Sequence, residues 1–291
     1  MRKQFSLKTL KIGGVNEHFN FPFRYGIEAG HFADKGIDLQ WQDVKGGTGE
    51  MIHLLHEGEL DFCVLLTEGL LIDALRNDRV RLIQFHVSSP LHWGIHVHRD
   101  SGFSTPAMLE GKTFAVSRMG SGSHLMAEVM KMEHHWKESP KFNIVHSLEG
   151  GLSSLRDRES DVFLWEIFTT APFLDQYHLN CIGFVPTPWP SFALCVRKEI
   201  AEEQVDLVKD LAKTAIATDV LVRNLPDLTD RISRRYALSP SAVAKWLGGT
   251  EWNTTMGTSE KQVSEILHQL SGLQLIQAKE IPTHAKSICA F

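Results

Sequence analysis

The residues best suited to chemistry in this chain lie together in Val116-Ser117-Arg118-Met119-Gly120-Ser121-Gly122-Ser123-His124. A short apolar run, Lys112 to Val116, comes before them and an amphipathic run from Leu125 to about Trp136 follows. The pattern is that of a strand, a Gly-Ser turn and a helix amino end. Such a turn aims several backbone N–H groups and the positive end of the helix dipole at one spot, with hydroxyls beside them. The chemistry it suggests is capture of a small anion. Ser121 or Ser123 as a plain N-cap and Gly120 as a turn glycine fit the same pattern.

Other residues of chemical interest sit at comparable junctions. Asn16, Glu17 and His18 form a polar loop after the apolar run Leu10 to Val15. Gly47 and Thr48 lie in a Gly-rich turn, where the glycines would let backbone approach a bound group. Thr48 and Thr67 are both placed to cap helices. Trp165 and Glu166 end an apolar run, so Glu166 is a candidate ligand for an amine or a candidate acid or base. His18 and His124 can donate to an anion and titrate near neutral pH. Trp93, Trp165 and Trp189 can stack on a planar ligand or simply pack. The His134-His135 pair reads as a solvated helix face, and no histidine or cysteine spacing suggests a metal.

These positions must be held by an ordinary globular scaffold. The chain has 291 residues, 43% hydrophobic and 22% charged, enough to bury a large core or two medium ones. Thirty basic against 35 acidic side chains give a net charge of -5 without like-charge runs, so nothing marks a nucleic-acid or anionic-membrane partner. No apolar window is long enough to span a bilayer, and the basic Met1 to Lys8 leads into no signal-length apolar segment. The expectation is a cytoplasmic chain. Four scattered cysteines, Cys63, Cys181, Cys195 and Cys289, read as free thiols.

Strand-like and helix-like runs alternate up to about residue 196, which means mostly parallel sheets covered on both faces. The run Leu54 to Val64 also has a counterpart in Ser154 to Leu164, with Leu55, Glu59 and Asp61 matched by Leu155, Glu159 and Asp161. Two lobes of similar α/β plan are expected. From Glu202 onward the spacing is helical, with little site chemistry.

Gly30-His31-Phe32, Gly36-Ile37-Asp38-Leu39, Gly47-Thr48-Gly49, Gly58-Glu59-Leu60-Asp61-Phe62 and Leu109-Glu110-Gly111-Lys112-Thr113-Phe114-Ala115-Val116, in this order, resemble the type II periplasmic-binding-protein fold. The resemblance is to its branch for sulfonates, nitrate and thiamine precursors, NMT1/THI5-like, and particularly to a signal-less group from fungi and bacteria. It implies two lobes joined by crossover strands, residues 1–96 with 191–291 forming lobe 1 and 97–190 lobe 2, with the helical tail on lobe 1. It further implies a hinged cleft closing on a small anionic or zwitterionic metabolite: a sulfonate, carboxylate, phosphate or thiamine-pathway pyrimidine. The lining would be Asn16, Glu17, His18, Gly47, Thr48, Thr67, Ser121, Ser123, His124, Trp165 and Glu166, with Trp93 and Phe192 as a floor. The turn at Gly46–Gly49 would then match the turn at Ser117–His124 across the cleft.

An enzyme on the same scaffold is the alternative. The related thiamine-pyrimidine synthase would need a lysine for pyridoxal phosphate and clustered cysteines, but no lysine lies between Asp61 and Ala74 and the cysteines do not cluster. No cofactor is therefore expected. A cofactor-free lyase or dehydratase would use Glu166, His18 and the serines. Without an export signal, a membrane-transporter partner is not expected.

Overall fold

A computed structural model describes residues 7–291. The chain divides into two compact units. Of the described residues, unit 1 holds 7–89, 190–268 and 277–291, and unit 2 holds 90–189 and 269–276.

In unit 1 strands and helices alternate: β1 (Lys8–Gly14), α1 (Phe21–Glu28), β2 (Ile37–Asp43), α2 (Gly47–His56), β3 (Phe62–Leu66), α3 (Thr67–Asn77) and β4 (Val80–Val87). Unit 2 repeats the plan with β5 (His92–His98), β6 (Thr113–Val116), α4 (Gly122–Glu133), β7 (Lys141–Ile144), α5 (Leu148–Arg156), β8 (Val162–Glu166), α6 (Ile167–Thr170) and β9 (Leu179–Pro186). The chain then supplies β10 (Phe192–Arg197), α7 (Lys198–Glu203), α8 (Val205–Arg223), α9 (Leu228–Tyr236), α10 (Pro240–Gly249) and α11 (Glu260–Gly272).

The two sheets run β2-β1-β3-β10-β4 and β7-β6-β8-β5-β9. In each, three parallel strands are followed by one antiparallel strand, β10 in unit 1 and β5 in unit 2. Because β5 pairs with β8 and β9, the division falls after Ser89, earlier than the boundary after residue 96 read from the sequence. Residues 269–276 also group with unit 2, so the helical tail is mostly but not wholly part of unit 1.

The short sequence repeat is a structural repeat. Asp61 accepts a hydrogen bond from the Lys11 amide at 2.9 Å, and Asp161 accepts one from the Thr113 amide at 2.9 Å. Gly58 and Arg158 both take left-handed backbone, φ 73° and 60°, so each helix ends in the same turn before its buried strand. In each case the carboxylate accepts a backbone N–H from the strand that lies beside its own. The Asp61 and Asp161 amides donate back to the Lys11 and Thr113 carbonyls at 3.0 and 2.8 Å, so each aspartate closes a two-way link to that strand.

Core packing explains the rest. All eight residues of β4 are buried, as expected of a strand lying under helices. In α8, Val208, Leu211, Ala212, Ala215 and Val222 are buried at helical spacing, which gives the apolar stripe of a helix lying on a sheet. In unit 2, Phe163 packs with Leu152, Leu155, Tyr177 and Leu179. Gly151 lies so close that an added Cβ would stand 2.3 Å from the Phe163 ring. Among the described residues no helix is long and apolar enough to cross a membrane.

Candidate functional site

The turn that leads into α4 keeps the form expected of it. Ser121, in extended backbone, is the N-cap and accepts from the His124 amide at 3.5 Å. Ser123 lies 3.1 Å from Ser121 through their hydroxyls and accepts from the Ser117 amide at 3.4 Å. Two hydroxyls carry two protons, and their mutual bond uses one. The other remains to donate. The first amides of α4 lack intrahelical acceptors, and the Gly120 amide is drawn to the His124 ring at Nδ1, 3.2 Å away. Both serines are buried here, whereas Gly120 and Met119 are exposed.

Arg118 belongs to this turn and was not among the residues the sequence singled out for binding. Its guanidinium is partly buried, and burial lowers its pKa. Among the described residues it has no carboxylate partner. A guanidinium removed from water without a counter-charge is costly; an anion at the α4 amino end would supply one. A lone arginine in a polar turn looks solvated in a sequence, so the only signal available was its place beside a Gly-Ser helix start.

His124 is half-buried and lies edge-on to Phe142 at 4.5 Å. Burial lowers its pKa, with Glu128 acting in the opposite sense. Near neutrality it therefore serves better as a neutral hydrogen-bonding ring than as a cation.

Trp93 and Glu166 are register partners across β5 and β8. The Trp93 and Trp165 rings meet edge to face at 6.5 Å. Among the described residues the buried Trp93 indole N–H has no hydrogen-bond partner. Glu166 is 4% exposed and caps α6, accepting from the amide and hydroxyl of Thr169 at 2.6 and 2.8 Å. Burial nonetheless raises it to about 6. Its carboxylate thus has a definite structural task.

The unit 1 candidates differ more from expectation. Gly47 and Thr48 are already helical, with Gly46 as N-cap, and Thr67 is the first residue of α3 with Leu66 before it. Neither threonine is a cap. The Thr48 hydroxyl accepts from the Leu66 amide at 3.2 Å, tying α2 to the end of β3. Thr67 is fully buried, and among the described residues its hydroxyl has no partner. At the amino end of α2 the Gly46 amide already donates to Glu50 at 2.5 Å. That end carries its own anion, unlike the start of α4.

Sheet order also corrects the pairing of turns. The turn at Ser117–His124 follows β6, whose counterpart is β1, so it corresponds to Asn16, Glu17 and His18 rather than to Gly46–Gly49. The latter corresponds to the turn before α5, capped by Ser147 on the Gly150 amide at 3.1 Å. In the loop after β1, Asn16 is exposed and Glu17 half-buried, while Asn20 donates to the Val15 carbonyl at 2.8 Å and shapes the turn. His18 is buried against Trp246, ring centroids 4.3 Å apart, with Tyr236 and Phe19 nearby. Burial lowers it to about 3, so it is neutral near pH 7 and neither holds an anion by charge nor acts as a base of ordinary strength. Phe192 stacks on Phe19 at 3.6 Å.

His98, Asp100 and His178 come close together, a grouping that linear spacing did not reveal. Arg158 stands 3.4 Å from the His98 Nδ1 and 3.7 Å from Asp100, and the Asp100 amide already donates to that Nδ1 at 3.1 Å. A cationic side chain thus already stands beside two of the three groups. The thiols are free. Cys63 and Cys195, far apart in sequence, are register partners across β3 and β10; both are buried, which raises their pKa values.

Two five-stranded sheets of order 2-1-3-n-4, each with one antiparallel strand and with β10 of the first following the whole segment that forms the second, define the type II periplasmic-binding-protein fold. Residues 93–185 match the model of the Ca3427-like periplasmic-binding-protein family. The structure is similar to that of the Candida albicans CA3427 gene product, with a TM-score of 0.89, 22% identity, and 97% of this chain and 96% of that one covered. It is also similar to the alkanesulfonate-binding protein SsuA of Xanthomonas axonopodis pv. citri bound to MOPS, with a TM-score of 0.75, 14% identity and 94% of each chain covered. The aliphatic sulphonate-binding SsuA of Escherichia coli gives a TM-score of 0.73 at 14% identity, covering 98% of this chain and 92% of that one. A comparison with curated protein sequences gives no match.

Proposed function

We propose that the chain is a solute-binding protein for a small organic anion, a sulfonate or carboxylate, received at the amino end of α4. The observation that carries this is Arg118, partly buried without a carboxylate partner among the described residues, in the same turn as the Ser121–Ser123 hydroxyl pair. The helix end offers amides and partial positive charge, and the guanidinium matches a planar or tetrahedral oxyanion. The fold supports the reading, as does the sulfonate-binding role named for two proteins of similar structure. Trp93, in the same unit, would add a further donor to the ligand's surroundings.

Isothermal titration with taurine, methanesulfonate, acetate and inorganic phosphate tests it. At least one should bind the wild type and lose about tenfold or more in Arg118→Gln, with a smaller loss in Ser123→Ala. Absence of binding by all four, or binding that Arg118→Gln leaves unchanged, would count against it.

A further inference from the structure

Unit 2 gathers a second set of chemically capable groups at the end of its sheet remote from the α4 turn. β5 runs antiparallel to β8, with Val97 opposite Val162, the first residue of β8. The carboxyl end of β5 therefore lies where the parallel strands begin, whereas α4 starts beyond the carboxyl end of β6. His98 is the last residue of β5 and pairs with Leu179, the first of β9. That register sets His178, the residue before Leu179, beside the strand end, and Asp100 follows two residues after His98. The Arg99 amide donates to the His178 carbonyl at 2.9 Å, which pins the two segments to each other.

Each of the three residues offers a ligand atom within 4.8 Å of those of the other two. The His178 Nε2 stands 3.1 Å from the Asp100 Oδ2. Donors bound to a tetrahedral zinc ion lie about 3.3–3.6 Å from one another, so this pair needs to part only slightly to hold one. The Asp100 and His178 side chains are 61% and 48% exposed, free to rotate and open to an ion from solvent. The His98 Nδ1 meets two donors, the Asp100 amide at 3.1 Å and Arg158 at 3.4 Å. It is thus the unprotonated ring nitrogen, and one lone pair serves two donors, neither of them well. Arg158 also reaches Asp100, at 3.7 Å, from a side chain that is 61% exposed. Both of its contacts are long, and exposed pairs of this kind add little to stability, so an ion that binds the same groups can displace it.

We propose that His98, Asp100 and His178 bind one divalent transition-metal ion, zinc in the first place, at this end of unit 2. Two imidazoles and a carboxylate suit zinc, cobalt and nickel, whereas magnesium and calcium take oxygen donors. Arg158 would turn into solvent as the ion enters. Three protein donors leave a coordination position open, which water would fill. The ion would also tie the end of β5 to the turn before β9, so its binding should stabilise the fold.

The probe is the metal alone, added to the full chain after treatment with a chelator. Zinc binding is measured by titration calorimetry and melting shift, with magnesium and calcium as controls, and cobalt serves as a visible-absorption reporter of tetrahedral geometry. The expected result is one zinc ion bound with a dissociation constant of about 10 μM or lower, a raised melting temperature and intense cobalt absorption. Asp100→Asn and His178→Gln change exposed side chains, so both should fold, and each should weaken zinc binding about tenfold or more. Arg158→Ala removes the competing cation and should strengthen it about two- to fivefold. Replacing the exposed pair His134 and His135 by Gln, or Arg118→Gln, should leave it as in the wild type. The proposal is overturned if zinc does not bind at about 1 mM, if magnesium or calcium binds as tightly, or if either Asp100→Asn or His178→Gln binds zinc as the wild type does. It is equally overturned by a thiolate-to-cobalt charge-transfer band, which would place the ion at a cysteine. None of these results bears on anion binding at the α4 turn, which lies at the other end of the sheet.

Discussion

Glu166 and Leu66 occupy the same place in their two units. Each closes a central strand and precedes a helix in extended backbone, φ −56° and ψ 126° for Glu166, φ −60° and ψ 132° for Leu66. Only Glu166 has a side chain that can cap, and it accepts from both the amide and the hydroxyl of Thr169. Leu66 instead has its own amide satisfied by Thr48.

That difference gives Glu166 a pH signature. Burial raises its pKa from 4.5 to about 6 in the folded chain, so between these values the native state binds more protons than the unfolded one. Its contribution is therefore fully present below pH 4.5 and is lost as pH rises through 6, a change of about 2 kcal/mol. Glu166→Gln keeps an acceptor for Thr169 without the charge. Urea midpoints from pH 4.5 to 7.5 should show a flatter profile for the variant, and a variant more stable than the wild type at pH 7. Parallel profiles would contradict this.

His18 acts in the opposite sense. Burial lowers it from 6.5 to about 3, so the unfolded chain binds the extra proton and stability falls as pH drops through this interval, by at most about 1.4 kcal/mol per pH unit. His18→Leu should unfold less readily than the wild type at pH 4 relative to pH 7. Proton uptake on unfolding at pH 5, measured calorimetrically in buffers of different ionisation enthalpy, should fall in the variant by nearly one proton per molecule.

Gly151 tests the packing of unit 2. An alanine there would place Cβ 2.3 Å from the Phe163 ring, and relief requires the ring or α5 to move, at about 1–3 kcal/mol. Gly248 in α10 has open space around its Cβ position, so Gly248→Ala should stabilise by about 0.5–1 kcal/mol. Thermal melts of the two variants should move in opposite directions.

The paired aspartates test whether the repeat matters energetically. Asp61→Ala and Asp161→Ala each leave an amide of the neighbouring strand without its carboxylate, and each should cost about 1–3 kcal/mol. Because they lie in different units, the double variant's loss should equal the sum of the single losses to within about 0.5 kcal/mol. Asn at either position should recover part of the loss, since its carbonyl also accepts.

Much of the architecture is legible in the residues themselves. Alternating apolar runs and Gly-rich turns place nearly every strand and helix, and the match of Leu54–Val64 with Ser154–Leu164 includes the aspartates that bond the neighbouring strands. Sheet order is not legible in that way. Cys63 meets Cys195, and β10 enters the first sheet, only through long-range register. Turns alike in composition were for the same reason paired wrongly, Gly46–Gly49 with Ser117–His124, where the order of strands assigns Asn16–His18. At the site, Ser121 as N-cap follows from local preference, while the isolation of Arg118 depends on which carboxylates the fold brings near it. Thr48 and Thr67 fall one or more residues inside their helices because Gly46 and Leu66 can adopt the capping backbone without a side-chain acceptor.

The position of β10 also bears on how the molecule is made. This strand lies between β3 and β4, yet it follows the whole of β5–β9 in the chain. During synthesis β4 emerges with no strand to join it to β3, and it waits while roughly 100 further residues are added, about 5–20 s at ordinary translation rates. The second sheet meanwhile is complete once β9 has appeared, since all its strands come from one uninterrupted segment. The half of the molecule that is begun first on the ribosome is thus closed last, and until then its exposed strand edges are what a nascent-chain chaperone would have to shield.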